Sequence, residues 1–561
     1  MKATALNRPL SIRALVLATG IVIAGVAAYA NTLGAPFVFD DHGSLFGNPT
    51  LRSLWPPWET VNVAAGSTPS GRPVFAYSLA LNYAMGGFAT PGYRIANIAI
   101  HVLAGLALFG VVRRTLLTER LEDRFGERAD ILAAICAALF VLHPVQTSAV
   151  TYMIQRAESL AGLFYLTTLY CVIRSATDER GSTRFAIIAL ATCALGMGSK
   201  EVMVTAPFVI AAYDRIFLSA SWRAVFNERG AMYLGFAGTA VLLVGVVLSS
   251  PRGPSAGFES ALLMSPLTYA WTQFGVVAHY FALVVWPHPL VLDYADWPLA
   301  SGPADVAASL GLVVAVLMAT GFALVRHPAV GFTGLWFFAI LAPTSTIVPI
   351  KDVTFDHRLY LSLAGPIALA VVSLDALLAR RRLERVGAVA AGVLVLVCGA
   401  LTVDRNADYQ SRVSIWADAA QKRPANWRAH HNLGLAELAR GEPTAAIRSF
   451  DLALALEPDV AAALRGRGRA RLRTQAVPLA VEDYDRAIEL EPRHARVHID
   501  RAAALALLGE FDRALADLER AVAIDPNHRA AHAALAELLT LAGDTARAKT
   551  HAQRAQSLPG P

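Results

Sequence analysis

The sequence predicts an all-α protein in two parts, a polytopic transmembrane helical bundle of about eleven spans followed by a water-soluble α-solenoid. Three observations predict it. Apolar runs of membrane-spanning length recur through about residue 403, residues 404–561 hold no such run, and prolines at 424, 458, 492 and 526 stand thirty-four residues apart. A run of roughly twenty apolar residues can cross a bilayer as a helix because the helix satisfies its own backbone groups. A fixed period in the thirties marks stacked helix pairs.

The spans are expected at 11–30, 93–115, 129–143, 157–176, 184–198, 201–218, 231–250, 304–325, 329–347, 359–379 and 386–403. Basic residues orient them, since arginine and lysine gather in cytoplasmic loops. Placing the amino terminus inside puts Arg113 to Arg128, Arg174 to Arg184 and Asp214 to Arg229 inside. The most basic connector, Arg380-Arg381-Arg382-Leu383-Glu384-Arg385, joins them only if the twelfth apolar segment, 266–287, does not cross fully. That segment is therefore expected to be re-entrant, interfacial or one arm of a hairpin. Lys2, Arg8 and Arg13 precede the first run, which closes on Ala28-Tyr29-Ala30, a pattern resembling a signal-peptidase site. The length of the run favours a retained first helix.

Composition excludes several classes. The net charge of +6 comes without a basic run interleaved with aromatics, so nucleic acid is not an expected partner. Cys136, Cys171, Cys193 and Cys398 all lie in apolar runs, where a thiol behaves as a small hydrophobe. Neither a disulfide framework nor a metal site is expected, and no cofactor. There is no phosphate-binding glycine loop, nucleophile elbow or HExxH helix.

In the second part, small residues keep phase with the prolines. Gly434, Ala446, Phe450 and Ala453 precede Pro458; Gly468, Ala480, Tyr484 and Ala487 precede Pro492; Gly509, Ala514, Leu518 and Ala521 precede Pro526. These are tetratricopeptide repeats, about four over 424–561, after a half-repeat linker at 404–423 that carries Trp416 and Ala419. The membrane part is then 1–403. Such a stack presents a groove suited to extended peptides. Asn432, Arg465, Arg469, His498 and Arg501 are candidate groove residues for a protein partner, or simply solvated helix faces.

Ionisable residues beside hydrocarbon are costly and point to function. The first outer loop, 31–92, opens with Phe37-Val38-Phe39-Asp40-Asp41-His42. Either carboxylate could be a general base tuned by its neighbour or by His42; Asp41 could instead cap a helix near Ser44. Arg72, Arg94, His101, His143, Arg156 and Glu158 follow in or beside spans, then Lys200-Glu201 and Asp352 to Arg358. Their cations lie where a lipid phosphate would sit, although His101 and Glu158 also suit helix-to-helix hydrogen bonding and Arg358 suits an interfacial anchor.

These motifs resemble, in order and over nearly the whole chain, the transmembrane and tetratricopeptide-repeat O-mannosyltransferases of the C-type glycosyltransferase superfamily. The motifs are Phe37 to His42, Gly71-Arg72-Pro73, Gly92-Tyr93-Arg94-Ile95-Ala96-Asn97 with His101, His143-Pro144-Val145-Gln146, Arg156-Ala157-Glu158, Ser199-Lys200-Glu201, Arg358-Leu359-Tyr360-Leu361-Ser362, and the junction from Arg405-Asn406 through Trp416 to His431-Asn432-Leu433-Gly434. The resemblance implies a C-type fold and an inverting transfer of mannose or another hexose from a polyprenyl-phosphate donor to a protein or glycan acceptor on the non-cytoplasmic face. It implies Asp40 or Asp41 as catalytic residue. Lys200 and Arg358, then Arg94 and Arg72, are expected on the donor phosphate, with His42, His101, His143, Arg156, Glu158 and Glu201 supporting. No metal is expected. Residues 251–303 are shorter than the corresponding stretch often found in the family. A composition rich in Ala, Arg, Val and Leu fits a bacterial relative in the inner membrane, with the site and the repeats periplasmic. The rival readings are a membrane-anchored tetratricopeptide scaffold without enzymatic activity, and a polyprenyl-linked glycan transporter or polymerase.

Overall fold

A computed structural model describes residues 11–63, 66–178, 181–249 and 264–558. Lys2, Arg8 and residues 251–263 lie outside the described residues. The chain divides into two compact units, Met1–Leu292 with Trp297–Ser411, and Asp293–Asp296 with Arg412–Pro561. Among the described residues both are helical, without a β-strand.

In the first unit the helices of eight residues or more are α1 (Ile12–Tyr29), α2 (Pro73–Gly86), α3 (Thr90–Leu116), α4 (Ala129–Leu142), α5 (Arg156–Thr177), α6 (Ser182–Met197), α7 (Ala206–Tyr213), α8 (Trp222–Ser249), α9 (Pro266–Val285), α10 (Ala307–Arg326), α11 (Pro328–Leu341), α12 (Ala364–Ala379) and α13 (Glu384–Asp408). Local chemistry sets their starts. The Ser11 hydroxyl accepts from the Ala14 N–H at 3.0 Å and caps α1, while α2, α9 and α11 open on proline, whose missing donor costs nothing there.

Among the described residues five stretches are long and apolar enough to span a bilayer, Ile12–Thr32, Thr90–Leu116, Met153–Thr177, Ala307–Arg326 and Glu384–Asp408; Glu122–Leu142 and Pro144–Val150, bent by 49°, pass the same test together as a broken span or a re-entrant loop. They correspond to six of the eleven expected runs. The expected spans at 184–198, 329–347 and 359–379 appear as α6, α11 and α12, apolar helices of 14 to 16 residues. At about 1.5 Å per residue these are ~24 Å or less, short of the ~30 Å hydrocarbon layer. The run 201–218 breaks into a 3-10 turn, the eight-residue α7 and a π-helical turn. Hydropathy registers the apolar run and not the turns that interrupt it.

Polar clamps define two ends of this bundle. At one, Arg113 pairs with Asp130 at 2.6 Å, Arg128 with Asp375 at 3.2 Å and Glu384 at 3.7 Å, and Arg229 with the buried Asp214 at 2.7 Å. At the other, Asn406 donates to the Ala28 carbonyl at 3.0 Å and accepts from Thr151 at 2.5 Å. α9 spends its length on this second end. Tyr269 donates to the Thr344 carbonyl at 2.5 Å, Gln273 to Val353 at 3.1 Å and Tyr280 to Phe355 at 3.0 Å, and its last turn packs near Val145. Close contact inside the bundle depends on glycine. A Cβ on Gly105 would stand 2.3 Å from the Val141 side chain, and one on Gly162 2.5 Å from the Tyr360 ring.

The second unit runs through α14 (Arg412–Lys422), α15 (Trp427–Arg440), α16 (Pro443–Leu456), α17 (Ala461–Arg473), α18 (Val477–Leu490), α19 (Ala495–Leu507), α20 (Phe511–Ile524), α21 (Arg529–Leu541) and α22 (Thr545–Ser557). Prolines 424, 458, 492 and 526 each fall two residues past a helix end, where no further backbone donor is needed. The in-phase small residues Ala446, Ala453, Ala480, Ala487, Ala514 and Ala521 are fully buried. Gly434 and Gly466 clasp the Phe450 ring, which a Cβ would approach to 2.9 and 2.5 Å. An arginine ladder follows the same period. Arg467 bridges Asp451 at 2.7 Å and Asp483 at 2.6 Å, and thirty-four residues on Arg501 bridges Asp485 at 2.7 Å and Asp517 at 2.6 Å. Asp293 and Asp296 belong to this unit, where Arg428 and Asn426 hold the first and Arg423 the second at 2.9 Å.

Candidate active site

After α1 the chain makes a tight turn in which Phe39 takes φ +48°, a left-handed conformation that costs a bulky residue energy. The turn gives the adjacent carboxylates different surroundings. Asp41 is fully buried, one oxygen accepting from the Val38 N–H at 2.9 Å and the other from the Ile154 N–H at 2.8 Å. Asp40 stays exposed, with its backbone N–H donated to the Tyr152 hydroxyl at 3.0 Å. Burial raises the Asp41 carboxyl to about 7, against the opposing pull of Arg94 and the two N–H donors. His42 donates to the Phe37 carbonyl at 3.2 Å and stacks on Phe46.

Two buried arginines underlie this turn. Arg94 donates to the Ala35 and Pro36 carbonyls at 3.2 and 2.7 Å, while its Nε and Nη1 have no hydrogen-bond partner among the described residues. Arg156 donates to Asn97 at 2.6 Å and to the Ser78 and Tyr93 carbonyls, each at 3.0 Å. Asn97 in turn donates to the Val150 and Met153 carbonyls at 3.0 and 3.2 Å, just before Ile154 reaches Asp41. One network therefore fixes both sides of the Asp41 clamp.

A second group of charges forms from separate loops. Arg72 pairs with Glu201 at 3.0 Å and donates to the Thr68 carbonyl at 3.0 Å. The Thr68 N–H donates to Ser44 at 3.4 Å, which ties this loop to the turn after Asp41. Lys200 is ion-paired with Glu158, both nearly buried; burial lowers the Lys200 ammonium from its ordinary value, and Glu158 opposes the shift. Arg358 donates to Val353 at 2.8 Å, Asp352 at 2.6 Å and Thr344 at 3.4 Å, all backbone carbonyls. His357 beside it is 5% exposed with Nδ1 unpartnered among the described residues. Burial first, and then Lys200, Arg358 and Arg72, hold that imidazole well below its ordinary value, so it stays neutral.

The other expected residues make contacts within their own units. His101 donates from Nε2 to the Val141 carbonyl at 3.0 Å and accepts from the Tyr360 hydroxyl at 2.9 Å. His143 accepts from the Val145 N–H at 3.4 Å. In the repeats, Asn432 donates to its own helix at Arg428, Arg465 meets His494 at 3.2 Å, and His498 and Arg501 both engage Asp517. Arg469 acts electrostatically on Tyr484. Sequence reasoning missed Tyr152, which holds the Asp40 backbone from an apolar stretch with no motif around it. Among the described residues no group of His, Cys, Asp and Glu is arranged to hold a metal ion.

Residues 67–249 match the family described as dolichyl-phosphate-mannose-protein mannosyltransferase. Residues 408–458, 431–495, 468–529 and 505–557 match tetratricopeptide repeat families. The chain pairs a mannosyltransferase-family domain with tetratricopeptide repeats. Among curated proteins it is similar to protein O-mannosyl-transferase TMTC4 of Mus musculus, 24% identical over 75% of this chain and 64% of that protein. It is also similar to Tmtc1 of Drosophila melanogaster, 30% identical over 47% of this chain and 33% of that protein, and to Tmtc2 of the same organism, 36% over 33% and 20%. The chain thus spans less than two thirds of the length of these relatives. The mannosyltransferase-family match includes Arg72, Arg94, Arg156, Glu158, Lys200 and Glu201; Asp40, Asp41, His357 and Arg358 come from outside it.

Proposed function

We propose that the first unit is an inverting C-type glycosyltransferase that moves mannose or a related hexose from a polyprenyl-phosphate donor to a hydroxyl of a protein acceptor. The observation that carries this reading is the division of labour between adjacent aspartates: Asp41 has both oxygens committed to backbone donors, while Asp40 is exposed at the turn they rigidify. Asp40 then takes the proton of the acceptor hydroxyl as the acceptor oxygen attacks the anomeric carbon, with the lipid phosphate leaving from the opposite face. The developing phosphate charge is met by Arg72, Lys200 and Arg358 around the neutral His357, whose free nitrogen can accept or donate one hydrogen bond. The ion pairs to Glu158 and Glu201 hold these cations in place before the donor arrives.

The bundle end carrying Asp40 is proposed to face the periplasm of a bacterium, with undecaprenyl as the carrier lipid. Support comes from the basic loops collected at the other end and from α13, which starts beside Arg128 and finishes with Asn406 bonded to Ala28. The repeats are proposed to lie on that same side of the membrane and to select the acceptor. The test is transfer to acceptor peptides by the purified chain, comparing polyprenyl-phosphate mannose with a nucleotide sugar. Turnover of the lipid donor alone is expected; use of the nucleotide sugar alone overturns the proposal.

A further inference from the structure

At the end of the bundle opposite Asp40, a cavity of about 610 Å³ opens between α3, α5, α7, α11 and α12. Its walls are aliphatic and aromatic, including Leu116, Phe332 and Leu369, and among the described residues no acidic side chain lines it. The polar groups in the wall are largely satisfied by one another, Thr115 and the Tyr213 hydroxyl lying 2.6 Å apart. Around the rim stand four arginines from three separate segments, Arg120 and Arg124 from one loop, Arg326 and Arg380, all exposed, together with His327. Of the carboxylates at this end of the bundle, Asp375 and Glu384 are paired with Arg128, while Glu119, Glu122 and Asp123 stand in the same loop as Arg120 and Arg124.

An apolar chamber alone would suit any oily ligand, and a cluster of cations alone any anion. Together they match an amphiphile with hydrocarbon below and negative charge above. The helices that form the chamber end here with their basic loops, at the level where a leaflet's headgroups would lie. We propose that this cavity is a binding site for an anionic phospholipid of that leaflet. A lipid seated here has its headgroup at the wrong end of the bundle to deliver a sugar to Asp40, so the site is separate from the donor site and acts on the stability or packing of α11 and α12.

The test uses the full chain in phosphatidylcholine nanodiscs doped with phosphatidylglycerol, reading the lipid retained on the protein by native mass spectrometry. Preferential retention of phosphatidylglycerol is expected. Arg326→Gln with Arg380→Gln should weaken it about thirtyfold, roughly fivefold per rim arginine, while Arg381→Gln with Arg385→Gln, which removes the same charge from beside the cavity, should not. Ala368→Trp, which fills the chamber without changing charge, should also abolish retention, with melting temperature monitored so that unfolded protein is not counted. Equal retention of the two lipids, or equal loss in the control pair, overturns the proposal. Displacement of phosphatidylglycerol by equimolar undecaprenyl phosphate overturns the assignment to a phospholipid.

Discussion

Replacing each of the adjacent aspartates by asparagine should give opposite signatures. Asp40→Asn changes an exposed side chain, so the melting temperature should hardly move, whereas transfer should fall by ~10²–10⁴, the usual contribution of a positioned general base. Asp41→Asn acts on a buried clamp. Its carboxylate accepts from Val38 at 2.9 Å and Ile154 at 2.8 Å, and an amide has one acceptor oxygen for those two donors. One buried N–H is then left facing an NH₂ group, at a cost of about 1–3 kcal/mol. The melting temperature should fall, and activity should fall with it because the turn that presents Asp40 loosens. The assay is initial-rate mannosyl transfer from polyprenyl-phosphate mannose, run beside thermal denaturation in the same detergent. An active Asp40→Asn enzyme refutes the assignment of the base. An inactive Asp41→Asn enzyme of unchanged stability would move that role to Asp41.

Because burial raises the Asp41 carboxyl to about 7, the folded chain binds a proton there that the unfolded chain releases near 4; this contribution to stability is therefore greatest below about 4 and lost as pH rises through 7. The melting-temperature gap between wild type and Asp41→Asn should accordingly change between about pH 4 and 7 and level off above. Lys200→Met should cost about 3–5 kcal/mol by leaving Glu158 as an unpaired buried charge, and the double variant Lys200→Met with Glu158→Leu should recover stability, measured by denaturation, without recovering transfer. In the repeats, burial of Asp517 is outweighed by its hydrogen bonds to Arg501 and His498, which hold it below the ordinary carboxylate range. Its stabilising contribution should be present above about pH 4 and vanish at lower pH, and Arg501→Ala should cost about 2 kcal/mol by denaturation at neutral pH. Gly162→Ala should destabilise by about 1–3 kcal/mol, since its Cβ would stand 2.5 Å from the Tyr360 ring.

The repeat unit was legible almost residue by residue because its period carries both the stops and the packing: the prolines mark helix ends and the small residues mark where helices touch. What the period did not reveal was which polar residues face one another. Arg501 and His498 read as groove candidates from helix position alone, yet both engage Asp517, because the same thirty-four-residue step that repeats the arginine also repeats an aspartate on the neighbouring helix. The bundle was legible as apolar runs but not as helix lengths, since α6, α11 and α12 fall short and Lys200, Thr344 and His357 sit in the turns between helices.

The candidate site shows the same limit more sharply. Its residue types could be picked out one by one, because charge beside hydrocarbon is conspicuous. Their grouping could not, because the partners are separated by 42 residues for Lys200 and Glu158, 129 for Arg72 and Glu201, and 113 for Asp41 and Ile154. Chemically equivalent neighbours, Asp40 and Asp41, acquire different roles only through the left-handed turn at Phe39, a backbone feature that a phenylalanine gives no reason to expect. The Tyr152 hydroxyl then accepts from the Asp40 N–H at 3.0 Å and also meets the Asp40 carboxylate, so it holds the exposed aspartate at both groups. If that arrangement is what makes Asp40 the base, Tyr152→Phe should lower transfer about tenfold through poorer positioning and shift the pH profile of transfer, since the Asp40 carboxylate loses a hydrogen-bond donor. An unchanged pH profile in Tyr152→Phe would refute Asp40 as the group whose proton sets the rate, because that carboxylate would have lost its phenol donor without effect.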